Sequence, residues 1–370
     1  MCIMKTFDKL GLKKDILNVL SSLKFKEATE VQEKIVPLAL KGENVVFTSR
    51  TGSGKTLAYA LGYLGKLNKK LGVQMLIVVP TRELCIQVGK EMQKLAEHLG
   101  FVTGMLYGGR DLVGDFKTTK RKIHILVGTP GRLIQHINEK NIKVGDTAYL
   151  VYDESDQMFD HGFYEDCKYI KKRVSNDAQI ILSSATITRK VEDFIEREIP
   201  NHTYLEVGDL IPKNITQEKI YCEKTEKQRI IEKAFSEHKF KTAIVFCNTK
   251  SKVTSISQSL SYKQFKAKPL SSELDQKTRL NTLNLFKEKK IKILVTTDVA
   301  ARGLHMPNVD VVVNFDVPTR EEFYIHRIGR TGRRDVNGYS LTLICPEDVK
   351  RFQEIESGYQ LDILDKSKEI

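Results

Sequence analysis

The sequence has no hydrophobic stretch that is long enough to cross a membrane. Its apolar runs, such as residues 75–79 and 309–313, are far shorter than the roughly 20 residues that a spanning helix needs. The first 14 residues also lack the apolar core of a secretory signal. Leu12, Ile16 and Leu20 form an amphipathic stripe, which predicts a packed first helix rather than a transit peptide. These absences argue against a membrane protein and against a secreted one.

Paired cysteines are also missing. None of the six cysteines belongs to a Cys-x-x-Cys pair or stands at the spacing of zinc ligands. Scattered single cysteines are typical of the reducing cytosol, where they act as small buried hydrophobic residues. We therefore expect a cytoplasmic protein whose cysteines are structural.

Acidic residues are fewer than basic ones, with 47 Asp and Glu against 60 Lys and Arg and a formal net charge of +13. Such an excess favours a polyanionic partner. Charge alone leaves a membrane surface and nucleic acid open as partners, and a basic surface without any partner is a further alternative. The motifs along the chain decide between these alternatives.

Short runs of Val, Ile and Leu alternate with longer helical patterns along the chain. Apolar runs between helices indicate an α/β fold with parallel sheets that are covered by helices on both faces. Residues 208–217 show no strong periodicity, and we predict a linker there between domains of residues 1–207 and 218–370. The runs that we interpret as strands are residues 45–47, 75–79, 123–127, 149–152, 179–182, 242–246, 293–296, 309–315 and 339–344.

The motif SRTGSGKT follows the first predicted strand and precedes a predicted helix at residues 57–67. This is the context of a phosphate-binding loop, because Gly52 and Gly54 let backbone N–H groups turn toward a phosphate. Lys55 would neutralise the β- and γ-phosphates, and the Thr56 hydroxyl would bind Mg²⁺. The predicted nucleotide-binding residues of the loop are Ser49, Arg50, Thr51, Gly52, Ser53, Gly54, Lys55 and Thr56.

The strand predicted at residues 149–152 runs directly into the motif DESD. Carboxylates at the end of a buried strand beside a phosphate loop are typical of a nucleotide hydrolase. Asp153 would hold Mg²⁺ through water, and Glu154 would orient or deprotonate the attacking water, a role that contributes about 10²–10⁴ in rate. The alternative is an acidic helix N-terminus, which does not explain the Lys-Thr pair upstream.

The ordered motifs of the whole chain resemble those of the DEAD-box RNA helicases of superfamily two. The resemblance covers almost the full length and depends on the series, since PTREL, TPGRL or SAT alone would be weak. The motifs are Phe7 with KFKEATEVQ (24–32), SRTGSGKT (49–56), PTREL (80–84), Gly108-Gly109, TPGRL (129–133), DESD (153–156), SAT (184–186), IVFCNT (244–249), Gln276 with Arg279, TTDVAARGLH (296–305) and HRIGRTGR (326–333).

The resemblance implies two tandem RecA-like domains that close around ATP and RNA. Gln32 would hydrogen-bond the adenine edge, since an amide both donates and accepts, while Phe7 or Phe25 would pack on the ring. Arg330 and Arg333 would act as arginine fingers that stabilise the charge of the transferring phosphoryl group. The residues that would couple the ATP site to closure are Asp156, Ser184, Thr186 and His326.

The motifs that contact RNA in this family contain Arg, Thr, Gly and Asn and almost no aromatic residues. Such residues bind phosphate and sugar, which predicts little sequence preference and a strong dependence on salt. A preference for RNA over DNA would use the 2′-hydroxyl and is implied only by the resemblance. The residues carried over are Thr81, Arg82, Gly108, Gly109, Thr129, Gly131, Arg132, Asn248, Arg279, Thr296 and Gly303.

The resemblance therefore implies an ATP-dependent RNA helicase that hydrolyses ATP on binding single-stranded RNA and locally unwinds short duplexes without sequence specificity. One alternative is an RNA clamp or annealing chaperone in which ATP turnover times release. A translocating DNA helicase is a second alternative, which the acidic motif disfavours. We expect a monomer that uses ATP and Mg²⁺ as cofactors. We expect it to bind RNA and not a membrane, with protein partners that supply target specificity.

Several positions depart from the family pattern, among them Lys24 in place of a Gly and Ser271-Ser272 in place of a His-Gly pair. His305 stands where an Asp usually reaches the ATP ribose, so we expect weaker closure on ATP. Ala28 and Glu30 replace two prolines ahead of Gln32, which loosens a preset turn and puts adenine selectivity in doubt. Ser49 replaces a Gly and Ser155 replaces an Ala, both small changes.

Overall fold

The computed structural model describes residues 6–50, 52–109, 112–208, 214–237, 240–271, 273–301, 308–332 and 336–369. The chain divides into two compact units, Met1–Gly208 and Asp209–Ile370. In the described part of each unit a parallel sheet is flanked by helices. Among the described residues, no helix is both long and apolar enough to span a bilayer.

The sheet of the first unit has the strand order β3-β4-β2-β5-β6-β1-β7. Its strands are β1 Val45–Ser49, β2 Met75–Val78, β3 Thr103–Leu106, β4 Ile125–Gly128, β5 Tyr149–Tyr152, β6 Gln179–Ser184 and β7 Thr203–Val207. Its helices are α1 Lys14–Ser22, α2 Glu30–Lys41, α3 Lys55–Leu64, α4 Arg82–His98, α5 Leu112–Thr119, α6 Pro130–Asn138, α7 Ser155–Asp160, α8 Tyr164–Lys171 and α9 Arg189–Glu198.

The register of the first sheet brings three chain segments to one edge. Strand β6 lies between β1 and β5, with Ser183 beside Phe47 of β1 and Leu182 beside Tyr152 of β5. Since all three strands are parallel, their carboxyl ends share an edge of the sheet, where ligands of open α/β sheets bind. The loop after β1, the DESD motif after β5 and the SAT motif at the end of β6 therefore lie side by side.

The sheet of the second unit has the order β10-β11-β9-β12-β13-β8-β14. Its strands are β8 Ile215–Tyr221, β9 Ala243–Phe246, β10 Ala267–Leu270, β11 Ile293–Thr296, β12 Val311–Asn314, β13 Gly338–Ile344 and β14 Leu364–Asp365. Its helices are α10 Lys227–Glu237, α11 Lys250–Tyr262, α12 Gln276–Lys287, α13 Asp298–Ala301, α14 Glu321–Ile328 and α15 Val349–Gly358.

Burial on both faces explains the continuous apolar runs. In β1, Val45 and Phe47 pack into the layer that contains α1 to α4, while Val46 between them packs into the opposite layer. Successive side chains of a strand point to opposite faces, so a strand covered on both sides needs apolar residues at every position. The α/β fold class predicted from these runs is confirmed. The five cysteines that the structure describes are free thiols.

The pattern of continuous apolar runs missed the strands that carry polar residues. Strand β8 alternates buried and partly exposed positions, and β14 is exposed. Strand β10 contains Pro269 and lies at an edge of its sheet, where a missing N–H is tolerated. Because β8 begins at Ile215, residues 215–217 form part of a strand and do not belong to the predicted linker.

Candidate active site

The loop between β1 and α3 is closed by its own side chains. Gly54 is the N-cap of α3 and has φ +92°, a left-handed conformation that favours glycine. The Lys55 Nζ donates to the Ser49 carbonyl at 2.9 Å, and the hydroxyls of Ser49 and Ser53 are 3.0 Å apart. Lys55 is buried and lies in the first turn of α3, where helix N–H groups and a cation together favour a phosphate. Thr51 lies outside the described residues.

The Gln32 amide supports this loop from the neighbouring helix. Its Oε1 accepts a hydrogen bond from the Thr29 N–H at 2.9 Å, and its Nε2 donates to the Gly54 carbonyl at 3.2 Å. Gln32 is buried. The Gln32 amide still has a second N–H proton and a further lone pair on its oxygen, which are sufficient to hydrogen-bond one edge of a base. That Gln32 reads adenine therefore stays a prediction.

The two aromatic residues that were candidates for packing on adenine differ in exposure. Phe7 is buried in the hydrophobic core of the first unit. Phe25 follows α1 and is 44% exposed. Only Phe25 presents its ring to solvent, and it is therefore the better candidate of the two.

Replacing Gly54 with Ala is expected to weaken nucleotide binding about tenfold. The new Cβ would lie 2.5 Å from the Gln32 Nε2, and a side chain at φ +92° adds about 1–2 kcal/mol of strain. Titration with a fluorescent ADP analogue measures the effect. Gly42→Ala is the matched control, since Gly42 has φ +89° and open space around its Cβ position. Equal ADP affinity in the two variants would contradict the expected result.

The acidic end of β5 is held by three hydrogen bonds. Asp153 is buried, and its Oδ1 accepts from the Glu154 N–H at 3.0 Å and from the Ser183 hydroxyl. Its Oδ2 accepts from the Tyr59 hydroxyl at 3.0 Å. Burial, with the Asp153 charge in addition, raises the pKa of Tyr59 well above its usual value, so the phenol keeps its proton.

The oxygen atoms near Asp153 fit a magnesium site. A carboxylate accepts about four hydrogen bonds, and Asp153 uses three, which leaves a lone pair for a metal-bound water. Mg²⁺ prefers oxygen ligands and keeps several waters. The Thr56 hydroxyl and the Asp153 carboxylate are such ligands, and both follow strands that end at the same edge of the sheet.

Glu154 has a left-handed backbone, with φ +54° and ψ +51°, directly before α7. This conformation is uncommon for a residue with a side chain, and backbone strain of this kind clusters at functional sites. Glu154 is the residue that the sequence predicts as the catalytic base.

A buried network joins the DESD motif to the SAT motif. Asp156 Oδ2 accepts from the Thr186 N–H at 3.1 Å and from the Thr186 hydroxyl at 3.0 Å. The Ser184 hydroxyl accepts from the Asp156 N–H at 3.2 Å and donates to the Thr186 carbonyl at 2.8 Å. All three residues are buried, so these hydrogen bonds couple the end of β5 to the end of β6.

Two of the predicted RNA motifs of the first unit lie in contact. The Arg82 guanidinium covers Gly109, where an added Cβ would lie 1.8 Å from its Nη1. The Thr81 side chain caps α4 by accepting from the Leu84 N–H at 3.3 Å. Thr129 is the N-cap of α6, and Gly131 is exposed, with nothing within 4 Å of an added Cβ.

Arg132 is held by a residue that sequence reasoning missed. Its Nε donates to Asp115 Oδ2 at 2.7 Å, and His136 Nε2 is 3.1 Å from the same oxygen. Asp115 and His136 are buried, and the Arg132 side chain is only 9% exposed. This ion pair fixes α5 against α6. A single Asp in a polar segment carries no sequence signal of such a role.

In the second unit, Arg327 organises the end of the sheet. It is buried and donates to both carboxylate oxygens of Asp298 at 2.7 Å and to the Asp316 carbonyl at 2.7 Å. It also donates to Asn248 Oδ1 at 2.9 Å, while Asn248 Nδ2 donates to the Val317 carbonyl at 2.8 Å. Both ends of the Asn248 amide are thus used inside the unit, and its backbone N–H donates to Asp316 Oδ2 at 2.9 Å.

The assignment of Thr296 to the RNA surface needs correction. Thr296 is completely buried, and its hydroxyl lies 3.0 Å from the Leu270 carbonyl and 3.1 Å from the Thr297 carbonyl. Its side chain therefore stabilises the strand end and does not form part of the surface. Arg279 donates to the Ala300 carbonyl at 2.8 Å, which brings two predicted RNA motifs together.

His326 lies in the last turn of α14, and Arg330 follows this helix and is buried. The Arg330 carbonyl accepts from the Val309 N–H at 3.1 Å. The other predicted residues of the second unit, Gly303 and Arg333, lie outside the described residues, as does His305.

Asp316→Asn is expected to destabilise the second unit by about 3 kcal/mol at neutral pH, because it leaves buried Lys227 without its carboxylate partner. Burial raises the pKa of Asp316, but the Asn248 N–H and the two lysines Lys252 and Lys227 outweigh it and lower the pKa below 3.8. The stabilisation is therefore complete above about pH 4 and is lost as the pH falls through the folded-state pKa.

Denaturant unfolding of the wild type and of Asp316→Asn between pH 7 and pH 2 checks this prediction, with the surface substitution Asp362→Asn as the control. The difference in free energy of unfolding between the wild type and Asp316→Asn should narrow below pH 4. A difference that is independent of pH would contradict the prediction.

Comparison with known proteins identifies the family. A family model described as DEAD/DEAH box helicase matches residues 29–194, and one described as helicase conserved C-terminal domain matches residues 226–335. The two models together span most of the chain. The chain belongs to the DEAD-box ATP-dependent RNA helicases.

Two curated relatives illustrate the likeness. The chain is 37% identical over 358 residues to the DEAD-box ATP-dependent RNA helicase CshA of Bacillus cereus, which covers 95% of this chain and 68% of that protein. It is 36% identical over 356 residues to CshA of Geobacillus kaustophilus, which covers 95% of this chain and 76% of that protein. The protein is accordingly an RNA-dependent ATPase and RNA helicase.

Solved structures agree on the fold. Dbp5 of S. cerevisiae bound to RNA and ADP BeF3 matches with a TM-score of 0.87 and 26% identity, over 98% of this chain and 95% of that one. A DEAD box protein from Methanococcus jannaschii matches with a TM-score of 0.59 and 32% identity, over 97% of this chain and 98% of that one. The two tandem RecA-like domains predicted from the resemblance are confirmed.

Proposed function

We propose that the protein binds ATP and single-stranded RNA together and locally separates short RNA duplexes without reading their sequence. The observation that carries this proposal is the buried network between Asp156, Ser184 and Thr186. ATP hydrolysis alone needs only the phosphate-binding loop of residues 49–56 and the carboxylates of Asp153 and Glu154. A rigid link from the acidic motif to the end of β6 gives the nucleotide site a mechanical connection to the rest of the unit.

The chemistry is assigned to side chains at the edge of the first sheet. Lys55 exchanges the Ser49 carbonyl for the phosphates, and Thr56 and Asp153 would hold Mg²⁺. Bound Mg²⁺ would neutralise charge on the β- and γ-phosphates. Glu154 orients the attacking water and accepts its proton.

The remaining assignments concern the adenine, the transferring phosphoryl group and the coupling of the second unit to nucleotide binding. Gln32, with Phe25, contacts the adenine. Arg330 and Arg333 supply positive charge to the transition state, and His326 couples this region to nucleotide binding.

RNA is bound through its backbone. The Arg82 guanidinium over Gly108-Gly109 and the open surface at Gly131 provide a cation and room for a phosphate to approach backbone N–H groups. The RNA in the complex of the Dbp5 relative supports the same partner here. A strand held by its phosphates is recognised without sequence readout, and protein partners then supply the target.

Steady-state ATP hydrolysis with single-stranded RNA, DNA of the same sequence, or no nucleic acid tests this function. We expect stimulation by RNA of any sequence, less stimulation by DNA, and weaker RNA binding as salt rises. Separation of a short RNA duplex is measured in parallel. Equal stimulation by RNA and DNA would contradict the choice of RNA, while strand annealing that survives Glu154→Gln would favour an annealing chaperone.

A further inference from the structure

We propose that Tyr59 and Ser183 are positioning residues that orient the magnesium ligand Asp153. This inference rests on the magnesium site of the proposed function. Tyr59 lies on α3, three residues after Thr56, and is completely buried. Its hydroxyl donates to Asp153 Oδ2 at 3.0 Å, and the Ser183 hydroxyl donates to Oδ1. Both oxygens of the carboxylate are therefore held.

Packing alone does not require this hydroxyl. The helix around Tyr59 is formed by buried apolar residues, such as Leu57, Ala58, Ala60 and Leu61, and a Phe ring would fill the same volume. A buried hydroxyl is unfavourable unless it is hydrogen-bonded. Here the hydroxyl donates to the magnesium ligand Asp153.

The phenol itself is held in place. The Tyr149 hydroxyl donates to the Tyr59 carbonyl at 2.9 Å, and the Tyr149 ring stacks on Tyr63 with centroids 4.9 Å apart. These contacts fasten α3 to β5, the strand that carries Asp153. The distance between the helix with Thr56 and the strand end with Asp153 is thereby fixed.

The hydrogen bonds determine which lone pairs are free. A carboxylate that holds a metal-bound water must keep a lone pair free for it. The proton of Tyr59 goes to Asp153 Oδ2 and that of Ser183 goes to Oδ1, so the carboxylate is held in one orientation.

Partners that orient metal ligands typically contribute 10–100-fold to metal affinity or activity. We therefore expect Tyr59→Phe to raise the Mg²⁺ concentration for half-maximal tight binding of ADP about tenfold. Ser183→Ala should shift it in the same direction. Binding of ADP in the presence of EDTA should not change, because the Tyr59 and Ser183 hydroxyls donate to Asp153 and not to the loop of residues 49–56 that binds phosphate.

The experiment is calorimetric titration of ADP into the full chain at a series of Mg²⁺ concentrations. Tyr63→Phe is the matched control, since it makes the same change on the same helix, one turn further from Thr56. Thermal unfolding of the nucleotide-free variants measures any purely structural effect. A positioning role shifts the Mg²⁺ dependence, and a structural role lowers only the Tm.

A Mg²⁺ dependence of Tyr59→Phe within about twofold of the wild type and of Tyr63→Phe overturns the inference but leaves the proposed function standing. If ADP binding to the wild type does not respond to Mg²⁺, the magnesium assignment of Thr56 and Asp153 is wrong, and the inference fails with it. The wild-type titration therefore separates the two failures.

Discussion

Glu154→Gln is expected to reduce RNA-stimulated ATP hydrolysis by about 10²–10⁴-fold while ADP affinity stays unchanged. Gln has the shape of Glu, but its amide cannot accept the proton of the attacking water. The substitution also keeps a side chain on the left-handed backbone before α7, so the local conformation is tolerated as before. Single-turnover hydrolysis at saturating RNA measures the chemical step.

Glu165→Gln is the matched control, since Glu165 lies on α8 and its carboxylate is exposed. It should hydrolyse ATP at the wild-type rate. If Glu154→Gln retained a rate within about threefold of the wild type, another group would have to activate the water.

Arg330→Ala is expected to reduce the hydrolysis rate by about 10³–10⁵-fold, the range found for arginine fingers in related phosphoryl transfer. The charge that develops on the transferring group loses a fixed guanidinium. Arg330→Lys should recover only part of the rate, because an ammonium group lacks the planar fork of donors. ATP affinity should fall much less than the rate in both variants.

Arg327, three residues earlier, provides the comparison. Its guanidinium is completely buried and bonded to Asp298, Asn248 and the Asp316 carbonyl. Arg327→Ala should therefore lower the Tm strongly, since it leaves the Asp298 carboxylate without its partner. Arg330 is buried as well, so Arg330→Ala should also lower the Tm, and hydrolysis is compared at a temperature at which both variants are folded. A loss of rate in Arg330→Ala that is no larger than that in Arg327→Ala would contradict the assignment of Arg330 as the finger.

The sequence predicted the central strands well and the peripheral ones poorly. Strands such as β1 and β5 are buried on both faces, so every residue is apolar and the run is visible without a structure. Strands such as β8 and β14 have exposed positions. Polar residues in these strands interrupt the apolar run, and the same residues are equally compatible with a loop.

The sequence by itself determined the fold class and, through the ordered motifs, the family, and it predicted the nucleotide loop and the acidic motif. The loop and the acidic motif are local, because glycines with a Lys-Thr pair, or a strand ending in carboxylates, form each of them within a few residues. The chemistry of a phosphate loop is thus readable from residues 49–56 alone.

Only the tertiary structure decided what surrounds those residues. Tyr59 reads as an ordinary core position of α3, and its bond to Asp153 joins residues 94 positions apart. Asp115 reads as a solvated charge, and Thr296 as a polar residue available to RNA, but both are buried. Burial and hydrogen-bond partners depend on which strands become neighbours in the sheet, and no spacing along one chain encodes that order.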